Sequence, residues 1–121
     1  MKRILVADDE PDVVTLVTML LKPAGHELFV AETGEEAIEQ VRSHRPDLVI
    51  LDILMPGGHG FSVLKTIRGD PELKQTKVLI LSSKGYAEDR RRAMEHGADL
   101  YMTKPFESDA LITTVNQLLG D

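Results

Sequence analysis

Three uninterrupted apolar runs, Ile4-Leu5-Val6, Leu48-Val49-Ile50-Leu51 and Val78-Leu79-Ile80-Leu81, constrain what this chain can fold into more than any other feature. A strand with one face in water alternates apolar and polar residues. Unbroken runs of this length belong instead to strands covered on both faces, as in a parallel sheet. Two weaker runs, Leu28 to Ala31 and Leu100 to Met102, bring the set to five.

The segments between the runs have helical spacing. Asp9, Glu10 and Pro11 open the first, with an acidic cap and proline in the first turn; Val13, Leu16, Val17 and Leu20 form its buried stripe before Pro23 stops it. Thr33-Gly34-Glu35-Glu36 is a capping box for the second, with Ala37, Ile38 and Val41 inward and a stop at His44-Arg45-Pro46, because a residue before proline is pushed out of the helical region. Phe61, Leu64 and Ile67 mark a third helix ending at Gly69. Ala93 and Met94 belong to a fourth, with Gly97 suited to a left-handed cap, and Leu111, Ile112, Val115, Leu118 and Leu119 mark a fifth. Strict alternation of strand and helix implies right-handed crossovers, and so a doubly wound α/β fold with helices on both faces of the sheet. The expected strand order is 2-1-3-4-5, with a switch-point crevice between the first and third strands. No repeat, low-complexity tract or linker interrupts the pattern, so residues 1–121 are expected to form a single domain.

Composition narrows the function. A 42% hydrophobic content over 121 residues is enough for one core. The formal net charge of −6 argues against a sequence-independent grip on nucleic acid phosphates. There are no cysteines, which removes disulfides, thiolate metal sites and a cysteine nucleophile. Ile4 to Ala7 is far too short for a signal peptide or a membrane span, so a cytoplasmic protein is expected.

Asp8, Asp9, Asp52 and Lys104 each stand where an apolar run ends, which places them on one edge of one sheet. Converging carboxylates repel one another and drift toward protonation unless a cation sits among them. Magnesium suits such a set, being a hard ion that takes carboxylates, a backbone carbonyl and waters and often shares its shell with phosphate. Asp52 beside a metal is a candidate nucleophile toward phosphorus. Ser82 offers a hydroxyl donor and Lys104 a flexible point charge for a phosphoryl oxygen. Each residue also has a plainer reading: Asp8 and Asp9 as helix caps, Asp52 and Ser82 as turn residues, Lys104 and the Arg90-Arg91-Arg92 run as solvated surface.

With those residues placed, the chain resembles the receiver domain of two-component response regulators, from Lys2 to Leu119. The resemblance is carried by Ile4-Leu5-Val6-Ala7-Asp8-Asp9-Glu10, Leu48-Val49-Ile50-Leu51-Asp52-Ile53-Leu54-Met55-Pro56-Gly57, Val78-Leu79-Ile80-Leu81-Ser82 and Gly97-Ala98-Asp99-Leu100-Tyr101-Met102-Thr103-Lys104-Pro105-Phe106. It implies a flavodoxin-like (βα)5 fold in which Asp52 accepts a phosphoryl group from the phosphohistidine of a sensor histidine kinase or histidine phosphotransfer domain. Asp9, Asp52 and the Leu54 carbonyl would bind Mg²⁺, or Mn²⁺ in its place, with Asp8 acting through water. Ser82 and Lys104 would contact the phosphoryl oxygens. Tyr101 would swing inward as Ser82 moves, and the Lys104-Pro105 bond would be cis.

The resemblance further implies a switch that catalyses only its own phosphorylation and dephosphorylation. Its signal would pass through the fourth helix, fifth strand and fifth helix to an effector or an output domain, without direct nucleic acid contact or membrane insertion. A phosphorylation-dependent homodimer fits the family, although the fifth helix lacks the basic residues of one dimer mode. Ser82 stands for the more frequent threonine, Ser83 for a small alanine and His59 for a frequent aspartate. Leu54 and Lys84 occupy positions that set the lifetime of the acyl phosphate. Three rival readings are a receiver that binds partners without phosphorylation, a flavin-binding module of similar fold, whose phosphate Asp8-Asp9-Glu10 would repel, and a phosphohydrolase, which commonly needs a second acid where Leu54 stands.

Overall fold

The structure, a computed structural model, describes residues 2–55, 60–83 and 87–120. Five parallel strands, β1 (Arg3–Ala7), β2 (Glu27–Ala31), β3 (Leu48–Leu51), β4 (Lys77–Ser82) and β5 (Leu100–Thr103), form one sheet in the order β2-β1-β3-β4-β5. They are joined through α1 (Pro11–Leu21), α2 (Gly34–His44), α3 (Gly60–Gly69) and α4 (Ala87–Glu95), and α5 (Ser108–Leu119) follows β5. Fold class and strand order are as expected from the alternation of runs.

Strand parity divides the core in two, because successive side chains point to opposite faces of a sheet. Leu5, Ala7, Val49, Leu51, Val78, Ile80 and Tyr101 pack with Ala37 and Val41 of α2, Val63, Leu64 and Ile67 of α3 and Ala93 of α4. On the other face Ile4, Val6, Leu48, Ile50, Leu79 and Leu81 pack with Val17 and Leu21 of α1 and Leu111, Val115 and Leu119 of α5. The central runs contribute to both layers, which is why they are apolar at every position.

Some helical details depart from expectation. Leu16, expected in the buried stripe of α1, is 42% exposed; Met94 lies in α4 as expected and is 43% exposed. Each is adjacent in sequence to a fully buried residue, Val17 or Ala93, and one step along an α-helix turns a side chain by about 100°. The stripe of α1 is Val13, Val14, Val17, Leu20 and Leu21. α1 ends at Leu21, just before Pro23 as expected, and Pro23 lies in a 3₁₀ turn over Lys22–Ala24 capped by Gly25 at φ 82°. A second 3₁₀ turn spans Pro71–Leu73, capped by Asp70.

Thr33 caps α2 by accepting from the Glu36 N–H at 3.1 Å, while the Glu36 carboxylate reaches the Glu32 N–H at 3.3 Å, one residue before the position a standard capping box uses. Arg45, before Pro46, ends α2 in the left-handed region at φ 47°.

Candidate functional site

The strand register brings the charged residues together. Ala7 ends β1 opposite Ala31 on one side and Leu51 on the other. One rung further, the Asp8 N–H donates to the Ala31 carbonyl at 3.0 Å and the Asp52 N–H to the Ala7 carbonyl at 2.9 Å, which fixes both backbones at the edge of the sheet. Across the sheet Ser82 is opposite Thr103, and the Lys104 N–H donates to the Ser82 carbonyl at 2.8 Å. The Lys104-Pro105 peptide is cis.

From these anchors the side chains converge. The Lys104 ammonium lies 2.8 Å from Asp8 Oδ2, 2.7 Å from Glu10 Oε1 and 3.4 Å from Asp52 Oδ2. Asp8 and Asp52 are buried, and only 9% of the Lys104 side chain meets solvent. The plainer reading of Asp52 as a turn residue holds as well, whereas Asp8 makes a local turn and does not cap α1, whose N-cap is Glu10 without a side-chain cap bond. Asp8 Oδ1 accepts from the Glu10 N–H at 2.9 Å at the start of α1, and Asp52 Oδ1 accepts from the Leu54 N–H at 3.0 Å in a tight turn. Each carboxylate spends one oxygen on the local turn and aims the other at Lys104. Lys104, expected on the plain reading at the surface, is instead enclosed.

Electrostatics follow from this enclosure. Burial raises the Asp8 pKa above the ordinary carboxylate value, and the Asp52 charge adds to the rise, against hydrogen bonds from Lys104 and the Glu10 N–H that lower it. Burial by itself would lower the Lys104 pKa, but hydrogen bonds to Asp8 and Glu10 and the charges of Asp52 and Asp8 reverse that, and the net shift is upward. Lys104 therefore stays charged. The carboxylates of Asp8, Glu10 and Asp52 each offer an oxygen, all within 4.8 Å of one another. An all-oxygen anionic set that already encloses a cation has the chemistry that a hard divalent ion requires.

Ser82 is fully buried at the end of β4, and the Tyr101 ring is buried in the core at 7% exposure. Burial raises the pKa of the Tyr101 phenol, against a side-chain hydrogen bond with Ser82 that lowers it. The Tyr101 ring thus lies inward, packed in the core.

A protein-family model described as the response regulator receiver domain matches residues 4–116 of the chain. The chain belongs to the response regulator receiver domain family. It is 34% identical over 120 residues to Protein PilH of Pseudomonas aeruginosa, covering 99% of each chain. It is also 34% identical to the phosphate regulon transcriptional regulatory protein PhoB of Escherichia coli, but there it spans 98% of its own length and 52% of the relative. A solved structure of a putative response regulator from Chloroflexus aurantiacus superposes with a TM-score of 0.93 at 33% identity, over 99% of this chain and 98% of that one.

In this receiver domain Asp8, Asp52 and Lys104 meet, as the sequence suggested. Asp9 does not join their cluster: it is exposed and borders, with Asp8, Thr15 and Glu32, a cleft beside the start of α1. Leu54 gives its N–H to Asp52, and its side chain is 45% exposed. His59 and Lys84 lie outside the described residues, as do Pro56 and Gly57 of the loop.

Glu10 is the participant that sequence reasoning missed. It is the N-cap of α1 with an extended backbone, at φ −91° and ψ 110°, and its carboxylate reaches the Lys104 ammonium at 2.7 Å. Among the described residues no helix is long and apolar enough to cross a membrane.

Proposed function

We propose that this receiver domain is a phosphorylation-activated switch of a two-component or phosphorelay system, with Asp52 as the acceptor. The observation that carries the reading is Asp52 itself, a buried carboxylate with one oxygen tied to the Leu54 N–H and the other facing the Lys104 ammonium at 3.4 Å. In the transfer a carboxylate oxygen of Asp52 bonds to phosphorus as the phosphohistidine N–P bond breaks. The electron pair of that bond leaves on the imidazole nitrogen, which takes up a proton. In autodephosphorylation water attacks the same phosphorus, releasing inorganic phosphate and the free carboxylate.

Asp8 and Asp52 of the cluster, Asp9 from the cleft that it shares with Asp8, and the Leu54 carbonyl would hold Mg²⁺ or Mn²⁺, which when bound supplies the positive charge that offsets repulsion between the attacking carboxylate and the phosphoryl oxygens. Lys104 turns from its carboxylates to a phosphoryl oxygen, and Ser82 donates to another. Their new contacts are made only in the phosphorylated arrangement, which is what shifts the population of states.

The donor, a sensor histidine kinase or phosphotransfer domain, approaches over Val13, Leu16, Pro105 and Phe106, which border the cleft beside Lys104. This gives the exposed Leu16 a use. The signal leaves through Tyr101 and the surface of α4, β5 and α5 to an effector or an output domain. PhoB, about twice as long as this chain, is named a transcriptional regulator, and an output beyond the receiver is consistent with that.

The switch acts in the cytoplasm and turns over no outside substrate. Acetyl phosphate with Mg²⁺ is expected to add one hydroxylamine-labile phosphoryl group, seen by intact mass. Asp52→Asn is expected to abolish it; undiminished labelling of that variant would overturn the assignment.

A further inference from the structure

Arg90-Arg91-Arg92 is a run of three consecutive cations on α4, and its guanidinium groups go to three different places. Arg91 bridges Glu88 and Glu95 along the exposed surface of the helix. Arg90 reaches toward β5, its guanidinium carbon 5.1 Å from the centre of the Tyr101 ring. Arg92 reaches the other way, 4.2 Å from the centre of the Phe61 ring on α3. His96, just beyond α4, meets the same Phe61 ring edge-on at 6.0 Å.

The helix has little else to hold it. Of its nine residues only Ala93 is buried, a single methyl group where α3 and α5 each bury several large side chains. Apolar burial scales with area, so α4 draws far less from the core than its neighbours do. A helix of this length is marginal without tertiary support. Cations within about 6 Å of an aromatic ring face are attracted to it, and two such contacts on opposite sides resist rotation of α4 in either direction.

We propose that Arg90 and Arg92 are a pair of cationic staples that seat α4 between β5 and α3, and that Arg90 thereby sets how firmly the Tyr101 ring is held inward. The staples need neither metal nor phosphate. Their consequence for signalling rests on the function proposed above: a ring already pinned inward leaves less of its population to be shifted by phosphorylation, so Arg90 tunes the gain of the switch.

The chain has two tyrosines and no tryptophan, so a Tyr86→Phe background makes Tyr101 the one tyrosine emitter. Acrylamide quenching, read without donor or metal, then reports exposure of the ring. Arg90→Met is expected to raise the outward-to-inward ratio about two- to fivefold, the factor a contact of this kind is worth. Arg90→Lys should fall between it and the parent, and Arg91→Met should leave quenching unchanged. Amide exchange at Ala93 should quicken in both Arg90→Met and Arg92→Met. Quenching of Arg90→Met that matches the parent, or that Arg91→Met reproduces, would overturn the proposal. Acetyl phosphate labelling of the same variants separates this outcome from that of Asp52 as acceptor: an intact label with unchanged quenching removes the staples alone.

Discussion

Lys104 stands among three carboxylates as the site's own cation, and Asp8 registers the tension that remains. Its pKa is raised, by burial first and by the Asp52 charge, against hydrogen bonds from Lys104 and the Glu10 N–H. A group with a folded pKa above its unfolded one favours folding most below the unfolded value and loses that contribution as pH rises through the folded pKa. Ionised Asp8 is therefore a burden at neutral pH. Asp8→Asn is expected to raise the melting temperature of the protein in EDTA at pH 7, with the gain shrinking as pH falls toward 3.8, the ordinary carboxylate value. The same variant should weaken Mg²⁺ binding roughly tenfold or more in a calorimetric titration. A lower melting temperature at pH 7 would contradict the electrostatic reading. Asp8, Asp52 and Lys104 were legible in the sequence because each follows an apolar run, and strand ends are where side chains leave the core. Glu10 was not legible, because its role depends on the chain staying extended past Asp9 when the sequence signals a helix start there.

At the scale of elements, the β3–α3 connection is held by close backbone contact. The Gly60 N–H donates to the Ile53 carbonyl at 3.2 Å, and a Cβ on Gly60 would come within 2.4 Å of the Asp52 carbonyl oxygen and the Ile53 Cα. Only glycine allows α3 to begin against the turn that presents Asp52. Gly60→Ala must push that turn aside, which should cost about 1–3 kcal/mol of stability, measured by urea unfolding. It should slow acetyl phosphate labelling as well. Full stability together with a normal labelling rate would show that the turn tolerates displacement. The apolar runs located β1, β3 and β4 readily, since burial on both faces leaves no other residue type. Helix faces were harder to read. Leu16 is apolar and correctly spaced with other apolar residues, yet it sits one step from the buried line; spacing alone does not reveal which edge of a stripe faces solvent.

For the whole molecule, the edge of the sheet opposite the site is closed by one network. Arg68 from α3 donates to the Gly97 carbonyl at 2.8 Å, the Thr76 carbonyl at 2.7 Å and Asp99 Oδ2 at 2.8 Å, and the same Asp99 oxygen accepts from the Val78 N–H at 2.8 Å. Gly97, at φ 100°, leaves room for the Arg68 side chain. Arg68→Met strips donors from partly buried acceptors and is expected to lower stability by about 2–3 kcal/mol in urea unfolding. Labelling at Asp52 should survive, because the network lies at the other edge of the sheet; a loss of labelling in folded Arg68→Met would mean that the two edges are coupled. The overall architecture was legible because alternation and handedness leave few topologies open. This network was hidden, because it joins residues up to 31 apart that no periodicity links.

The most direct test is to locate the phosphoryl group. Brief exposure to a phosphohistidine donor and Mg²⁺, reduction with borohydride and peptide sequencing should find homoserine at position 52. Homoserine at position 8 or 9 instead, or none in folded protein, would contradict the assignment of Asp52.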